Sequence, residues 1–237
     1  MATDVLFNGY VITDRFIVSD LIRGFAKRDT KNISVPGMDG AIFGSSVLAP
    51  IEVSMTVSYV SNDEYERRSA LNELAEVLNV SEPEPLYIPP DRTRYYLAVP
   101  SGGDLTRYVG AESFKLTFTV PDPVMYGHPQ KTVRAFGTLT VGGNYRTYPS
   151  FSMPSATAAG GILGISVNGG TFDIPIDDSS PHAVIIDCSN RTVTVDGTSK
   201  LPTIGSDWPV FEPGSNTAQL SSGTGTVTIN YHERWFR

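Results

Sequence analysis

The sequence predicts a mainly β protein of two domains, and three observations carry this prediction. From Ile51 to Tyr59 every odd position is apolar and every even position is polar, which is the period of a half-buried strand. One amphipathic helical pattern follows directly, at residues 61–78. Beyond residue 130 no helical pattern occurs, and short apolar runs alternate with turn residues as in a β-sandwich.

The stretch Phe118–Pro129 marks the predicted domain boundary. Pro121, Pro123 and Pro129 supply no N–H to a ladder, so we expect the sheet to stop there. Charged residues become fewer after this stretch, and Gly, Ser and Thr become more frequent. We therefore predict domains at residues 1–125 and 126–237, the first an antiparallel, barrel-like sheet with one α-helix and the second a β-sandwich.

In the first domain the helix has a predicted start, an apolar face and a stop. Ser61 and Glu64 have the spacing of a capping box, in which both side chains satisfy free N–H groups of the first turn. Pro83 ends the pattern. The predicted core-facing residues are Leu71, Leu74, Ala75 and Leu78. A turn at Ser101–Asp104 and a strand at Ala111–Val120 are predicted to follow.

The second domain is predicted to consist of strands alone. The turns between them contain Gly-Gly-Asn, Asn-Gly-Gly, Asp-Gly and Pro-Gly-Ser-Asn sequences. The predicted strands are Ala135–Val141, Ser150–Met153, Ile162–Val167, Thr171–Ile176, Ala183–Asp187, Thr192–Val195, Val210–Phe211, Ala218–Leu220 and Thr226–Tyr231.

Composition excludes several classes of function. The chain has 237 residues and a formal net charge of −7, which argues against sequence-specific nucleic-acid binding because phosphates are held by Lys and Arg. No apolar run approaches the ~20 residues of a membrane span, so no membrane insertion is expected. Cys188 is the only cysteine, and no signal peptide is visible at the N-terminus, which fits synthesis in a reducing cytosol.

The segment from Arg23 to Ser46 does not fit the sheet pattern. It is rich in glycine yet carries Met38, Ile42 and Phe43, with Asp39 between them. Two interpretations stay open: a hairpin whose tip folds onto its own domain, or an arm that packs on a neighbouring subunit. In the second case Arg23, Met38, Asp39, Ile42 and Phe43 are the candidate interface residues.

No catalytic, cofactor or metal site is predicted. The histidines His128, His182 and His232 lack the spacing of a zinc site with one another or with Cys188. The carboxylates at residues 173, 177 and 178 have the composition of a calcium or glycosidase site, but they lie in a predicted solvated turn. Tyr145 and Trp208 are the candidates for stacking on a sugar ring, and core or turn anchoring is the alternative role for both.

The order of these signals resembles the distal tail proteins of long-tailed bacteriophages over nearly the whole chain. The features that carry the resemblance are Asp39-Gly40 before the alternating strand, Leu86-Tyr87-Ile88 after the helix, the junction Phe118–Gly127, the run Gly143–Pro149, the run Trp208–Asn216, the strand Val227–Tyr231 and Trp235.

The resemblance implies a hexameric ring at the tail tip. It implies that the first domain is similar to tail-tube subunits and forms the ring, and that the second is a galectin-like sandwich. The implied partners are further copies of the chain, the tail-tube protein, a tail-tip or tail-associated lysin protein and receptor-binding proteins. The resemblance also implies that DNA passes through the ring, which agrees with the acidic composition.

Three functions are therefore compared. The first is a structural hub that acts by ring assembly, without catalysis or cofactor. The second is a carbohydrate-binding module involved in recognition of the host cell wall. The third is a glycan hydrolase, which rests on the aspartates of residues 173–178 alone.

Overall fold

The computed structural model describes residues 4–108 and 111–237. Residues 1–3, the start of the stretch in which the sequence shows no signal peptide, therefore lie outside the described residues. The chain divides into two compact units. The first comprises Met1–Tyr126 with Phe236–Arg237, and the second comprises Gly127–Trp235. Among the described residues, no helix is long and apolar enough to cross a membrane.

The first unit is an antiparallel sheet with one helix. The elements are β1 (Leu6–Phe7), β2 (Tyr10–Val11), a 3-10 helix (Ile12–Asp14), β3 (Ile17–Arg23), β4 (Arg28–Ile33), β5 (Ile42–Leu48), β6 (Ile51–Val60), α1 (Glu64–Leu78), β7 (Glu84–Tyr87), β8 (Arg94–Tyr108), β9 (Ala111–Val120) and β10 (Val124–Gly127). The strands of the sheet follow one another in the order β2-β1-β7-β8-β9-β6-β3, and β10 pairs with β8.

The strand β6 confirms the predicted alternation. Ile51, Val53, Met55 and Val57 are buried, and the polar residues between them are exposed or half-buried. The strand lies between β9 and β3, so its backbone is paired on both sides while one face enters the core. That core also holds aromatic pairs contributed by distant strands, such as the fully buried Phe7 and Phe118, whose ring centroids are 4.8 Å apart.

The helix α1 lies where the sequence predicts it, but the capping box is wrong. Asp63 is the N-cap, and its carboxylate accepts a hydrogen bond from the Tyr65 N–H at 2.8 Å. The Ser61 hydroxyl instead accepts from the Asp63 N–H at 3.1 Å. Aspartate is as good an N-cap as serine, and the start it gives aims Ala70 and Leu74 into the core. Ala75, predicted to be buried, is exposed.

Two predicted interruptions of the first sheet are wrong. Residues 101–104 continue β8, with a register shift between Pro100 and Gly102 as the only irregularity there, because a bulge absorbs an extra residue without ending the strand. Likewise, Val124–Gly127 forms β10 within the proline-rich junction. Pro121 and Pro123 precede that strand, and Pro129 follows it, so none of the three removes an N–H from its ladder.

The second unit is a sandwich of two antiparallel sheets. Its strands are β11 (Lys131–Val133), β12 (Gly137–Val141), β13 (Ser150–Thr157), β14 (Ile162–Val167), β15 (Gly170–Pro175), β16 (His182–Asp187), β17 (Thr192–Val195), β18 (Thr198–Ser199), β19 (Gly214–Ser222), β20 (Thr224–Gly225) and β21 (Thr228–Tyr231). One sheet runs β11-β21-β13-β16-β17-β18 with β20 beside β13, and the other runs β12-β19-β14-β15. The last strand of the chain, β22 (Arg234–Phe236), belongs to neither sheet of the sandwich.

Alternating residues from both sheets form one core in this unit. Phe151 and Ile186 of the larger sheet and Ile165 and Phe172 of the smaller one are fully buried in it. The strand predicted at Val210–Phe211 is reduced to a single bridge between Phe211 and Thr147. Phe211 is nevertheless fully buried. The apolar residues that predicted a strand here therefore pack in the core without forming a strand.

Candidate interaction surfaces

The segment that did not fit the sheet pattern is an exposed β-hairpin. Strands β4 and β5 pair with each other in a separate two-stranded sheet, and the hairpin Arg28–Leu48 is called the arm below. Every residue of β4 is exposed. The side chains of Ile33, Met38, Ile42 and Phe43 expose 58%, 52%, 47% and 63% of their surfaces. A tip folded onto its own domain would bury these groups, so the arm extends away from the body that carries it.

The base of the arm, in contrast, is anchored to the sheet. The Gly24 N–H donates to the carbonyl of Glu52 on β6 at 2.8 Å. The Ala49 N–H donates to the Lys27 carbonyl at 3.0 Å and so joins the two chain segments that lead into the arm. Arg23 lies at this base, where its Nη1 donates to the Tyr96 hydroxyl at 3.2 Å. Of the five predicted interface residues, Arg23 therefore lies at the base of the arm and contacts its own domain. Met38, Asp39, Ile42 and Phe43 lie at its outer end.

A second apolar surface of the first unit lies between α1 and the sheet. It is a groove of about 470 Å³, called the helix groove below. Leu71, Ala75 and Leu78 line one wall, and Gly102, Phe114 and Leu116 line the other. The sequence predicted the helical wall as core, whereas Leu71 and Leu78 are only half-buried. Gly102 has no side chain to fill the space, and a Cβ added there would meet nothing within 4 Å.

The outer face of α1 beside this groove carries charges of both signs. Arg68, Glu73 and Glu76 lie there, and Arg15 forms an ion pair with Glu73. Arg68 pairs with Glu64, one turn earlier in the helix. The charges next to the helix groove are therefore largely compensated by ion pairs.

The two predicted sugar-stacking residues lie in different surroundings within the second unit. Trp208 packs against Phe172, with ring centroids 4.7 Å apart, and lines a cleft of about 140 Å³ beside Asp207. The Tyr145 ring lies under the Arg234 guanidinium, 5.3 Å from its centroid. Arg234 is itself buried, 4% exposed, and its Nη1 donates to the Arg146 carbonyl at 3.1 Å. Each ring thus already packs against a side chain of its own domain.

His182 joins two carboxylates that are distant in sequence. Its Nδ1 lies 2.6 Å from Asp196 Oδ2, and its Nε2 lies 2.7 Å from Asp178 Oδ1 and 3.2 Å from the Ser180 hydroxyl. Ser180, His182 and Asp196 contact one another in the order serine, histidine, aspartate, as the three residues of a catalytic triad do. However, hydrogen bonds to Asp196 and Asp178 raise the pKa of His182, which favours an imidazolium that has no free nitrogen to accept the serine proton. The cluster is therefore an electrostatic clamp between the Asp178 loop and the turn at Asp196.

Among the described residues, no group of three or more His, Cys, Asp or Glu side chains is placed to hold an ion. Asp178 is engaged by His182 and Ser180, and these contacts lower the pKa of its carboxyl group to about 2. Cys188 is buried, and burial raises the pKa of its thiol, so this thiol is unreactive.

A loop covers one edge of the smaller sheet. The N–H groups of Thr203 and Asp207 donate to the carbonyls of Asp173 and Thr171 on the edge strand β15, at 2.8 and 2.9 Å. The loop also presents Leu201 and Ile204 to solvent.

Comparison with known proteins defines the class. Two protein-family models match the sequence. The family described as phage tail protein RIFT-related domain matches residues 8–120, and the family described as siphovirus-type tail component, C-terminal domain, matches residues 142–235. Both describe components of phage tails. The two matches together leave out residues 1–7, 121–141 and 236–237.

Solved structures agree with this class. The Dit (gp 19.1) protein of phage SPP1, described as a paradigm of the hub adsorption apparatus in phages that infect Gram-positive bacteria, is 16% identical, with a TM-score of 0.77 over 99% of each chain. A chain of the phage P2 baseplate, activated with Ca, is 7% identical, with a TM-score of 0.52 over 94% of this chain and 92% of that one. The same baseplate activated with Sr gives 8% identity and a TM-score of 0.53, over 96% of each chain. No curated protein sequence matches significantly. The chain belongs to the distal tail proteins of siphovirus-type phages, which are baseplate hub proteins.

Proposed function

We propose that this hub protein forms a hexameric ring at the tip of the phage tail and joins the tail tube to the tip and host-adsorption apparatus. It acts by assembly, without catalysis or cofactor. Its partners are further copies of itself, the tail-tube protein and a tail-tip or tail-associated lysin protein, with receptor-binding proteins as an additional partner. It is made in the cytoplasm of the host bacterium.

The observation that carries this proposal is the arm. A ring of more than two copies needs a heterologous contact, in which one surface fits a different surface of the next copy. A hairpin that is anchored at Gly24 and Ala49 and exposes Met38, Ile42 and Phe43 beyond them has the form of such a contact. Residues 1–125 would accordingly form the ring, as a domain similar to tail-tube subunits.

The second domain is assigned the outer rim. Residues 126–237 would form a galectin-like sandwich, which leaves its loops available to other tip proteins. The net charge of −7 suits a ring that DNA passes through, because an acidic wall repels phosphate instead of binding it.

Deletion of Met38–Phe43 tests the ring. We expect the full chain to have the solution mass of six copies by light scattering, and the deletion variant to be a folded monomer with an unchanged circular dichroism spectrum. The matched control is the double substitution of Leu201 and Ile204 by serine, which removes exposed apolar groups from the other unit and leaves the ring intact. A deletion variant that assembles like the full chain would contradict the proposal.

A further inference from the structure

The two sheets of the sandwich end in the edge strands β11, β18, β15 and β12, and the first three carry features that oppose further pairing. β18 is two residues long and is followed by Lys200, and β11 is three residues long and begins with Lys131. β15 is covered by the loop whose Thr203 and Asp207 N–H groups donate to its carbonyls. Shortness, lysine and a covering loop are means by which proteins protect the edges of their sheets.

The edge strand β12 has none of these features. Its five residues, Gly137–Val141, include no charged residue and no proline, and they pair with β19 without a register shift. Thr217 lies opposite Thr138 and directs its N–H and carbonyl to Asn168, on the side away from β12. Because such pairs alternate along an antiparallel ladder, the backbone groups of Thr138 and Thr140 face the free edge. Within residues 4–108 and 111–237, no other strand pairs with this edge.

We propose that β12 of one copy pairs antiparallel with β12 of a second copy, so that the two smaller sheets become one. The sequence Thr-Leu-Thr at residues 138–140 reads the same in both directions. With Leu139 of both copies at the centre, Thr138 lies opposite Thr140 of the second copy, and each of these pairs exchanges both of its backbone hydrogen bonds. Threonine side chains that face each other across two strands add to the stability of the sheet.

The charges at the two ends of β12 favour the same pairing. Arg134 precedes the strand and is exposed. Glu233 lies at the other end, where its Oε1 accepts a hydrogen bond from the Gly142 N–H at 3.1 Å. Neither side chain forms an ion pair in the part of the chain that the structure describes. Antiparallel pairing about a two-fold axis brings the start of each strand to the end of the other, so Arg134 of each copy approaches Glu233 of the other and fixes the orientation.

This contact goes beyond the proposed ring and does not depend on it. Neighbouring copies in a hexameric ring are related by a six-fold rotation, whereas the β12 contact needs a two-fold axis, so it joins copies of two different rings. Because the loop covers β15 at the opposite edge, each smaller sheet pairs once and the joined sheet stops at two copies.

Light scattering of the full chain across a concentration series tests the contact. We expect the mass at low concentration, which reports the ring, to double at high concentration as the β12 strands pair. Thr140→Pro removes an N–H that faces the free edge, a change that an edge strand tolerates, and Thr140→Val is the matched control that keeps this N–H. Circular dichroism checks that both variants are folded.

We expect Thr140→Pro to raise the concentration needed for half of the doubling by about tenfold or more, because each copy loses a hydrogen bond at the contact. Thr140→Val should behave like the unmodified chain. Equal behaviour of the two variants would overturn the inference. A mass that does not rise with concentration would leave the edge to a strand of another tail protein and would also overturn it, whereas the mass of one copy at low concentration contradicts the ring alone.

Cysteine cross-linking tests the register. Thr138→Cys and Thr140→Cys are made in separate chains, mixed and oxidised, and the buried Cys188 does not compete. Residues 138 and 140 of the two copies are directly opposite in the proposed register, with Cα atoms about 5.5 Å apart. We expect at least about fivefold more disulfide-linked dimer from this mixture than from Thr138→Cys alone, whose two thiols are out of register. Equal yields would contradict the pairing centred on Leu139.

Discussion

Asn168, in the turn between β14 and β15, and Asn216, on β19, are joined through their side-chain amides. The Asn168 Nδ2 donates to the Asn216 Oδ1 at 2.8 Å. The same Oδ1 accepts from the Glu212 N–H at 2.9 Å, and the Asn216 Nδ2 donates to the carbonyls of Glu212 and Gly214 at 2.7 and 3.1 Å. Asn216 is 1% exposed, so its amide is saturated with partners and shielded from water.

Asn216→Asp should destabilise the second domain by about 2–4 kcal/mol, because a carboxylate has no donor for the two carbonyls and is repelled by both. Urea denaturation followed by far-UV circular dichroism measures the change in the free energy of unfolding. Asn190→Asp, the same substitution in an exposed turn, is the control. It loses the bond from Asn190 Nδ2 to Asp187 Oδ2 at 2.9 Å and adds a like charge, but because this contact is exposed to solvent we expect a cost of less than about 1 kcal/mol. Similar effects of the two substitutions would contradict a structural role for the buried amide.

The His182 clamp predicts a pH dependence of stability. Hydrogen bonds to Asp196 and Asp178 raise the pKa of His182, so its contribution is complete below the unfolded pKa of about 6.5 and is lost as pH rises through the raised value. Hydrogen bonds from Ser180 and His182 lower the pKa of Asp178 to about 2, so its contribution is present above the unfolded value of about 3.9 and is lost as pH falls. The clamp is therefore strongest between about pH 4 and 6.5.

His182→Gln should remove most of the difference in urea midpoint between pH 5.5 and pH 8.5, because glutamine cannot acquire the charge that the two carboxylates stabilise. His232→Gln is the control for the substitution itself, made at a histidine whose Nδ1 lies 2.8 Å from the Gly127 carbonyl. A pH profile that is unchanged by His182→Gln would contradict the clamp.

Gly143 is predicted to tolerate no side chain. Its φ is +92°, and an added Cβ would lie 2.2 Å from the Arg234 carbonyl oxygen, so both the conformation and the space exclude alanine. We expect Gly143→Ala to lower the free energy of unfolding by at least about 3 kcal/mol. Gly169 has a φ of +89° with nothing within 4 Å, so Gly169→Ala should cost only the conformational part, about 1–2 kcal/mol. Thermal unfolding of both variants separates the two contributions.

Trp208 provides a test of the carbohydrate-binding alternative. Because its ring packs on Phe172, we expect Trp208→Ala to destabilise the sandwich by about 2–3 kcal/mol. We also expect titration with cell-wall sugars to leave the tryptophan fluorescence of the intact protein unchanged. A saturable fluorescence change that persists in Trp235→Phe and disappears in Trp208→Phe would favour sugar binding instead.

The sequence predicts features that depend on one segment better than features that depend on two. The alternation from Ile51 to Tyr59 is a local period, and it assigns the buried and the exposed face of β6 correctly, because alternate side chains of a strand point to opposite faces of the sheet. The N-cap was assigned to Ser61 instead of Asp63 because both residue types cap helices and only the backbone distinguishes them. The bulge near Gly102 keeps β8 continuous through pairing with β9, which the composition of residues 101–104 does not reveal.

The candidate sites show the same division. Met38, Ile42 and Phe43 were identified as interface candidates because apolar residues in a glycine-rich segment stand out in sequence. The helix groove was not predicted, because Leu71 and Gly102 meet only after the strands have paired. Asp196 lies fourteen residues after His182, and the β16–β17 hairpin brings the two side chains together. No short sequence motif therefore predicts the clamp.

The loop over β15 affects how the protein behaves at high protein concentration. Because the Thr203 and Asp207 N–H groups already occupy the Asp173 and Thr171 carbonyls, that margin of the sandwich has few hydrogen-bonding positions left for a foreign strand. Newly made copies crowded together before virion assembly are thereby protected from fibril-like stacking along this side.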